Sequence, residues 1–152
     1  MRPKRGTATA LQKAYQYLAR RDHSTFEIRK KLSLKGYPPE EVEEAVQKLT
    51  AQGYLDDSSF ARGYVRHCQS SRRLGPGAVR RELQARGITG EILEEAAGSY
   101  SREQEEKNLG KIISHRLAKG ESREKIFSYL FRKGYGTACI REGFRRVMDG
   151  PA

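Results

Sequence analysis

The stretch SRRLGPGAVRRELQARGI, residues 71–88, sets Arg72, Arg73, Arg80, Arg81 and Arg86 around one Gly-Pro step with a single acid, Glu82. Guanidinium groups are permanently charged, planar donors whose fork matches phosphate and carboxylate. Arg62 and Arg66 precede them, so seven arginines between residues 62 and 86 face one acid. A run of like charge repels itself, a cost that a merely solvated helix face does not require, so the run reads as a surface for a polyanionic partner. Arg20, Arg21, Lys30 and Lys31 extend that character toward the start of the chain, with Lys13, Arg29 and Lys35 among them. Over 152 residues, 30 Lys and Arg stand against 19 Asp and Glu, a formal charge of +11. The expected binding set is therefore Arg62, Arg66, Arg72, Arg73, Arg80 and Arg81 with Arg20, Arg21, Lys30 and Lys31 on one contiguous basic surface.

Catalytic chemistry has no comparable signature. There is no glycine-rich phosphate loop ending in Lys-Ser/Thr, no HExxH and no GxSxG. His23, His67 and His115 are scattered, and His23 between Asp22 and Ser24 reads as a helix-boundary residue. Asp56 and Asp57 before SSFARGYV read as an N-cap rather than half a metal site. Cys68 and Cys139 stand in no Cys-x-x-Cys or Cys/His grouping, so neither a disulfide framework nor a zinc site is expected. The expectation is a non-enzyme with no catalytic residue, no metal, no cofactor and no small-molecule substrate. No segment reaches the roughly 18 consecutive apolar residues of a membrane helix. The opening MRPKRGTATALQK is basic without an apolar signal core. A cytoplasmic chain with no membrane partner is expected.

The elements that position the arginines follow from an internal repeat. Segments ending LKGY, ARGI and RKGY overlay on Gly36, Gly87 and Gly134, 51 and 47 residues apart. Eight and four positions before each glycine stand Ile28 and Leu32, Val79 and Leu83, Ile126 and Leu130, the spacing of a buried helix face. The glycine is then a helix C-cap, where a positive φ is least costly. Twelve positions before it lie helix-start residues Ser24, Gly75 and Ser122, with a Ser24-x-x-Glu27 capping box and Pro76 at a first helical position. After it, Val42, Val46 and Leu49, then Leu93, Ala97 and Tyr100, then Ile140, Phe144 and Val147 mark a further amphipathic helix. Upstream, Leu11, Ala14, Tyr15 and Leu18, then Phe60, Tyr64 and Cys68, then Leu109, Ile113 and Leu117 mark another. On the helix bearing Phe60, Ala61, Tyr64, Val65 and Cys68, the residues Arg62, Arg66 and Arg73 fall on the opposite side.

The expected fold is all-α: an elongated, right- or left-curved array of three tandem three-helix repeats over residues 1–52, 53–99 and 100–152. Glu40, Glu41, Glu43 and Glu44, and likewise Glu91, Glu94 and Glu95, open the last helices of the first two repeats and read as charges complementing the helix dipole. The rings of FSYLFRKGY, residues 127–135, read mainly as core.

One resemblance is carried by specific residues. In YLDDSSFARGYVRHCQSSRRLGPGAVRRELQARGI, residues 54–88, an LDD-x-x-FA-x-x-YV segment precedes a GP-x-x-(apolar)-x-x-EL-x-x-(basic)-GI segment. Leu55, Asp56, Asp57, Phe60, Ala61, Tyr64, Val65, Gly75, Pro76, Val79, Glu82, Leu83, Gly87 and Ile88 hold those places. This resembles the RecX family of recombination regulators, and residues 20–57 look like that family's first repeat, with Ile28 where leucine is commoner. From about residue 104 the match is in outline. The resemblance implies a repeat array that lodges in the groove of a RecA filament on single-stranded DNA and restrains filament extension, ATP hydrolysis and strand exchange, with no active site, in recombination, DNA repair and the SOS response. Duplex DNA is a further polyanion that such a surface could meet. The alternative from the residues alone is a stand-alone helix-turn-helix-like DNA-binding protein, in which Arg80 and Gln84 would enter a major groove.

Overall fold

The computed structural model describes residues 8–150, so the first seven residues of MRPKRGTATALQK, read as basic without a signal core, lie outside the described residues. Among them the chain is all-α, with nine helices and no strand: α1 (Ala10–Arg20), α2 (Thr25–Leu34), α3 (Pro39–Ala51), α4 (Asp57–Ser70), α5 (Pro76–Ala85), α6 (Gly90–Gly98), α7 (Arg102–Ala118), α8 (Arg123–Arg132) and α9 (Thr137–Asp149). No helix among these residues is long and apolar enough to cross a membrane.

Local chemistry sets the ends. Thr9 accepts from the Gln12 amide and Gln12 returns a bond to the Thr9 amide, a capping box that opens α1; Ser24 and Glu27 do the same for α2. Each such cap stabilises by about 1 kcal/mol relative to alanine. The three overlaid glycines all have positive φ, +92° at Gly36, +77° at Gly87 and +98° at Gly134. Beyond each, the next amide bonds five residues back: Tyr37 to Leu32, Ile88 to Leu83 and Tyr135 to Leu130. That closes a Schellman turn in every copy. Ile28, Leu32, Val79, Leu83, Ile126 and Leu130 are all buried, so the register read from the glycines is the core register.

Two placements differ from the sequence reading. α6 stops at Gly98, so Tyr100 is not on that helix; its hydroxyl instead donates to the Leu74 carbonyl at 2.9 Å. α4 stops at Ser70, which puts Arg73 in the turn before α5 rather than on the face of Arg62 and Arg66. Helical spacing carried past the last helical residue misplaced both.

Contacts gather the chain into two compact units, Met1–Arg62 with Leu83–Leu93, and Gly63–Glu82 with Glu94–Ala152. In the first, α1, α2 and α3 pack pairwise around Ala10, Ala14, Ile28, Leu32, Tyr37, Val42, Ala45, Val46, Leu49 and Leu55. In the second, α7, α8 and α9 enclose Leu109, Ile112, Ile113, Ile126, Leu130, Tyr135, Ile140 and Phe144. Burying each large aliphatic side chain contributes about 1.5–3 kcal/mol.

Each unit also contains the same joint. In the first, the start of α2 meets the end of α5: Ser24 Oγ donates to the Arg86 carbonyl at 2.7 Å, and Phe26 lies against Gly87. In the second, the start of α5 meets the end of α8: the Gly75 amide donates to the Lys133 carbonyl at 2.9 Å, and the Gly77 amide to the Gly134 carbonyl at 3.0 Å. Ser24 and Gly75 are equivalent in the overlay, as are Arg86 and Lys133. The joint therefore divides the middle repeat, giving one end of α5 to each unit.

Candidate nucleic-acid and partner surface

The arginines that crowd residues 62–86 are not equally available. Arg72 holds Glu82 through two nitrogens, at 3.1 and 3.3 Å, and Tyr64 donates its hydroxyl to the same carboxylate at 2.8 Å. Arg80 grips Glu94 in the same forked way, at 2.7 and 3.2 Å. That guanidinium holds the Glu94 carboxyl below its ordinary range. Arg86 approaches Glu27 at 4.0 Å. The count of seven arginines to one acid was thus misleading: Glu94 and Glu27 lie outside the counted stretch and come to it through tertiary structure.

The Arg80–Glu94 pair has an internal precedent. In the first unit Arg29 makes a bidentate pair with Glu43, at 2.7 and 3.3 Å, and both residues lie 51 positions earlier. Two copies thus tie their second helix to their third through one exposed, forked ion pair. The third copy has Phe127 and Arg141 at these places. The glutamates read from the sequence as dipole charges are, at Glu43 and Glu94, also ion-pair partners.

Arg62, in the first unit, and Arg66, Arg73 and Arg81, in the second, make no ion pair with an acid among the described residues. Each is exposed. Of the more N-terminal cations, Arg20 and Lys30 are exposed and also without an acidic partner among the described residues, whereas Arg21 bonds Glu27 at 3.1 and 3.4 Å. Lys31 is turned inward. Its ammonium donates to Nε2 of His23 at 2.6 Å and lies 5.0 Å from the centre of the Tyr17 ring. His23, 4% exposed, meets the Arg21 carbonyl through Nδ1 at 2.9 Å. Burial, with the nearby Arg21 and Lys31 charges, lowers the proton affinity of the imidazole against the opposing carbonyl bond. Burial likewise lowers that of Lys31.

Arg73 has a special backbone. Its φ of +51° is the one positive value at a non-glycine among the described residues. Such a conformation costs on the order of 1–3 kcal/mol and persists where the surroundings over-determine it. Here they do. Tyr135 donates its hydroxyl to the Arg73 carbonyl at 2.6 Å, Tyr100 donates to the Leu74 carbonyl, and the Gly75 amide is held by Lys133. Upstream, the Gln69 side chain bonds both the carbonyl and the amide of Ser101, and Asn108 donates to the Gln69 carbonyl at 2.7 Å. Gln69 and Asn108, and the tertiary bond of Tyr100, escaped the sequence reading because their partners lie tens of residues away. Among the described residues no group of His, Cys, Asp and Glu is arranged to hold a metal ion.

Comparison with known proteins agrees with the three-helix organisation. Residues 10–49 match the family model described as RecX, first three-helix domain, and residues 56–96 match RecX, second three-helix domain. The chain is similar to the regulatory protein RecX of Prosthecochloris aestuarii, 33% identical over 145 residues that cover 93% of this chain and 95% of that one. It is similar also to the regulatory protein RecX of Stenotrophomonas maltophilia, 34% identical over 148 residues, 93% of this chain and 88% of that one. The crystal structure of RecX from Lactobacillus salivarius shares the fold, with a TM-score of 0.80 at 21% identity over 91% of this chain and 94% of that one.

Proposed function

The chain belongs to the RecX family, and from that premise we propose that it is a non-enzymatic cytoplasmic regulator that binds the RecA filament on single-stranded DNA. Bound there, it restrains filament extension, ATP hydrolysis and strand exchange, and so modulates recombination and DNA repair. It acts through three tandem repeats, residues 1–52, 53–99 and 100–152. The observation that carries this reading is the family match along both of the first two repeats, in a chain of formal charge +11. The exposed cations without acidic partners among the described residues, Arg20, Lys30, Arg62, Arg66, Arg73 and Arg81, suit a partner that combines phosphate with acidic protein. Arg21, Arg72 and Arg80 keep a charge that a partner could share, but each is already tied to a glutamate. A stand-alone reader of operators draws less support, because the Arg80 fork that would meet a base edge is occupied by Glu94.

The test is a titration into purified RecA on single-stranded DNA with ATP hydrolysis as readout. Substoichiometric protein lowers the rate. No change across a wide titration overturns the proposal, and a preference of about a hundredfold or more for one duplex sequence over random DNA would favour the operator reader.

A further inference from the structure

α7 carries a row of basic side chains absent from the arginine stripe. Lys107, Lys111 and His115 recur every four residues along one side of this helix, so neighbours stand about 6 Å apart along its axis. Arg73 closes the same shallow groove from the turn between α4 and α5, and Gly110 and Ser114 complete its lining. No acid lines the groove; Glu103, one turn up the helix, pairs with Lys107 at 3.3 Å. All these residues belong to the second unit.

Two features of the groove go unexplained by packing. The left-handed backbone at Arg73 would suit glycine, yet an arginine is held there by the Tyr135 hydroxyl. Gly110 sits inside a 17-residue helix, where glycine is less favourable than alanine, although a Cβ at that position would meet nothing within 4 Å. The fold thus requires neither the arginine at 73 nor the missing side chain at 110. Both make sense if something else occupies the groove: the arginine supplies a donor fork, and the glycine keeps the floor open for close approach.

We propose that Arg73, Lys107, Lys111, Ser114 and His115 form a binding site for consecutive phosphodiesters of a single nucleic-acid strand, with Gly110 as its floor. The charge is of one sign, and the row is narrow. Its spacing lets neighbouring basic side chains meet neighbouring phosphates of a stretched strand, with His115 as a hydrogen-bond donor, as in grooves that track a backbone without reading bases. Ser114 adds a neutral donor to a phosphate oxygen. The site deepens the functional reading above by locating the DNA contact, but its test does not involve RecA.

The experiment measures binding of a fluorescent oligothymidylate to the full chain across a salt series. Each phosphate contact on single strands contributes about 0.7 to the slope of log affinity against log salt. Arg73→Gly with Lys111→Ala should therefore reduce the slope by about 1.4 and weaken binding about 25-fold at 0.1 M salt. Arg73→Gly alone should keep or raise the melting temperature while weakening binding, which a structural role for this arginine would not give. Gly110→Ala should likewise melt higher and bind more weakly, whereas Lys48→Ala in the other unit should leave the slope nearly as it was. An unchanged slope in the folded double variant overturns the site, whatever the protein does to RecA. Stronger binding to duplex than to oligothymidylate, lost in the same variant, would overturn the choice of a single strand. Failure of the ATPase titration with this pattern intact would overturn the RecA reading and leave the site standing.

Discussion

Replacing Gly134 by alanine tests the joint between α5 and α8 at one methyl group. The substitution meets two separable costs. At φ +98° any Cβ is strained, a penalty of about 1–2 kcal/mol. A Cβ at Gly134 would also overlap the backbone nitrogen and the Cβ of Ala78, atoms that no side-chain rotation can move aside. Overpacking of that kind costs about 1–3 kcal/mol more. Gly53 supplies the control: its φ is +81°, but a Cβ there meets nothing within 4 Å, so Gly53→Ala carries only the first penalty. For a chain of this size, with about 2–4 °C of melting temperature per kcal/mol, Gly53→Ala should lower the midpoint by roughly 5 °C and Gly134→Ala by roughly 10 °C. Because the chain holds two compact units, a local readout belongs beside the melt. Hydrogen exchange at the Gly75 and Gly77 amides, which donate to Lys133 and Gly134, should accelerate in Gly134→Ala and not in Gly53→Ala. Equal melting of the two variants, with the amides still protected, would refute the claim that close approach rather than glycine's freedom holds this joint.

Gly87→Val should destabilise the first unit by about 1 kcal/mol or more, through strain at φ +77° and collision with Phe26, and an unchanged melting temperature would count against this cap. Arg80→Glu should weaken the tie between α5 and α6, and adding Glu94→Arg should restore it, because the forked pair works in either direction; RecA inhibition that stays lost in the swapped double variant would show that Arg80 itself contacts the partner. Acidification should destabilise the first unit through His23. A base whose proton affinity is lowered by folding leaves the unfolded chain binding more protons, so the neutral imidazole contributes stability above pH 6.5 that is lost as pH falls below it. His23→Gln should flatten that part of the curve of melting temperature against pH, and a curve as steep as that of the parent chain would remove His23 as its source.

Much of the fold was legible because it is written locally. Ser24 with Glu27 and Gly75 with Pro76 announce helix starts, and the three glycines close Schellman turns in the register set by Ile28, Val79 and Ile126. What failed was extrapolation past a helix end, at Arg73 and Tyr100, where tertiary hydrogen bonds rather than periodicity decide the path. The candidate surface was half legible. Exposed cations can be counted along a chain, but their neutralisation cannot: Glu94 reaches Arg80 from the next helix, and Lys31 turns inward to His23 and Tyr17. The groove on α7 went unnoticed because Lys107, Lys111 and His115 stand four residues apart rather than in a dense run, and only folding brings Arg73 across from them.

The joint seen once in each unit makes the repeats an ordered series rather than exchangeable parts. Its acceptor is a main-chain carbonyl in both instances, but its donor is a serine hydroxyl in one and a glycine amide in the other. A Cβ on Gly75 would overlap the Gly134 backbone, so the segment that seats Ser24 on Arg86 could not be transplanted to seat on Lys133 without parting the helices. A shuffled gene with the first and second repeats interchanged would therefore keep every helix-start and glycine-cap signal, and still set a side chain where only a glycine clears the Gly134 backbone.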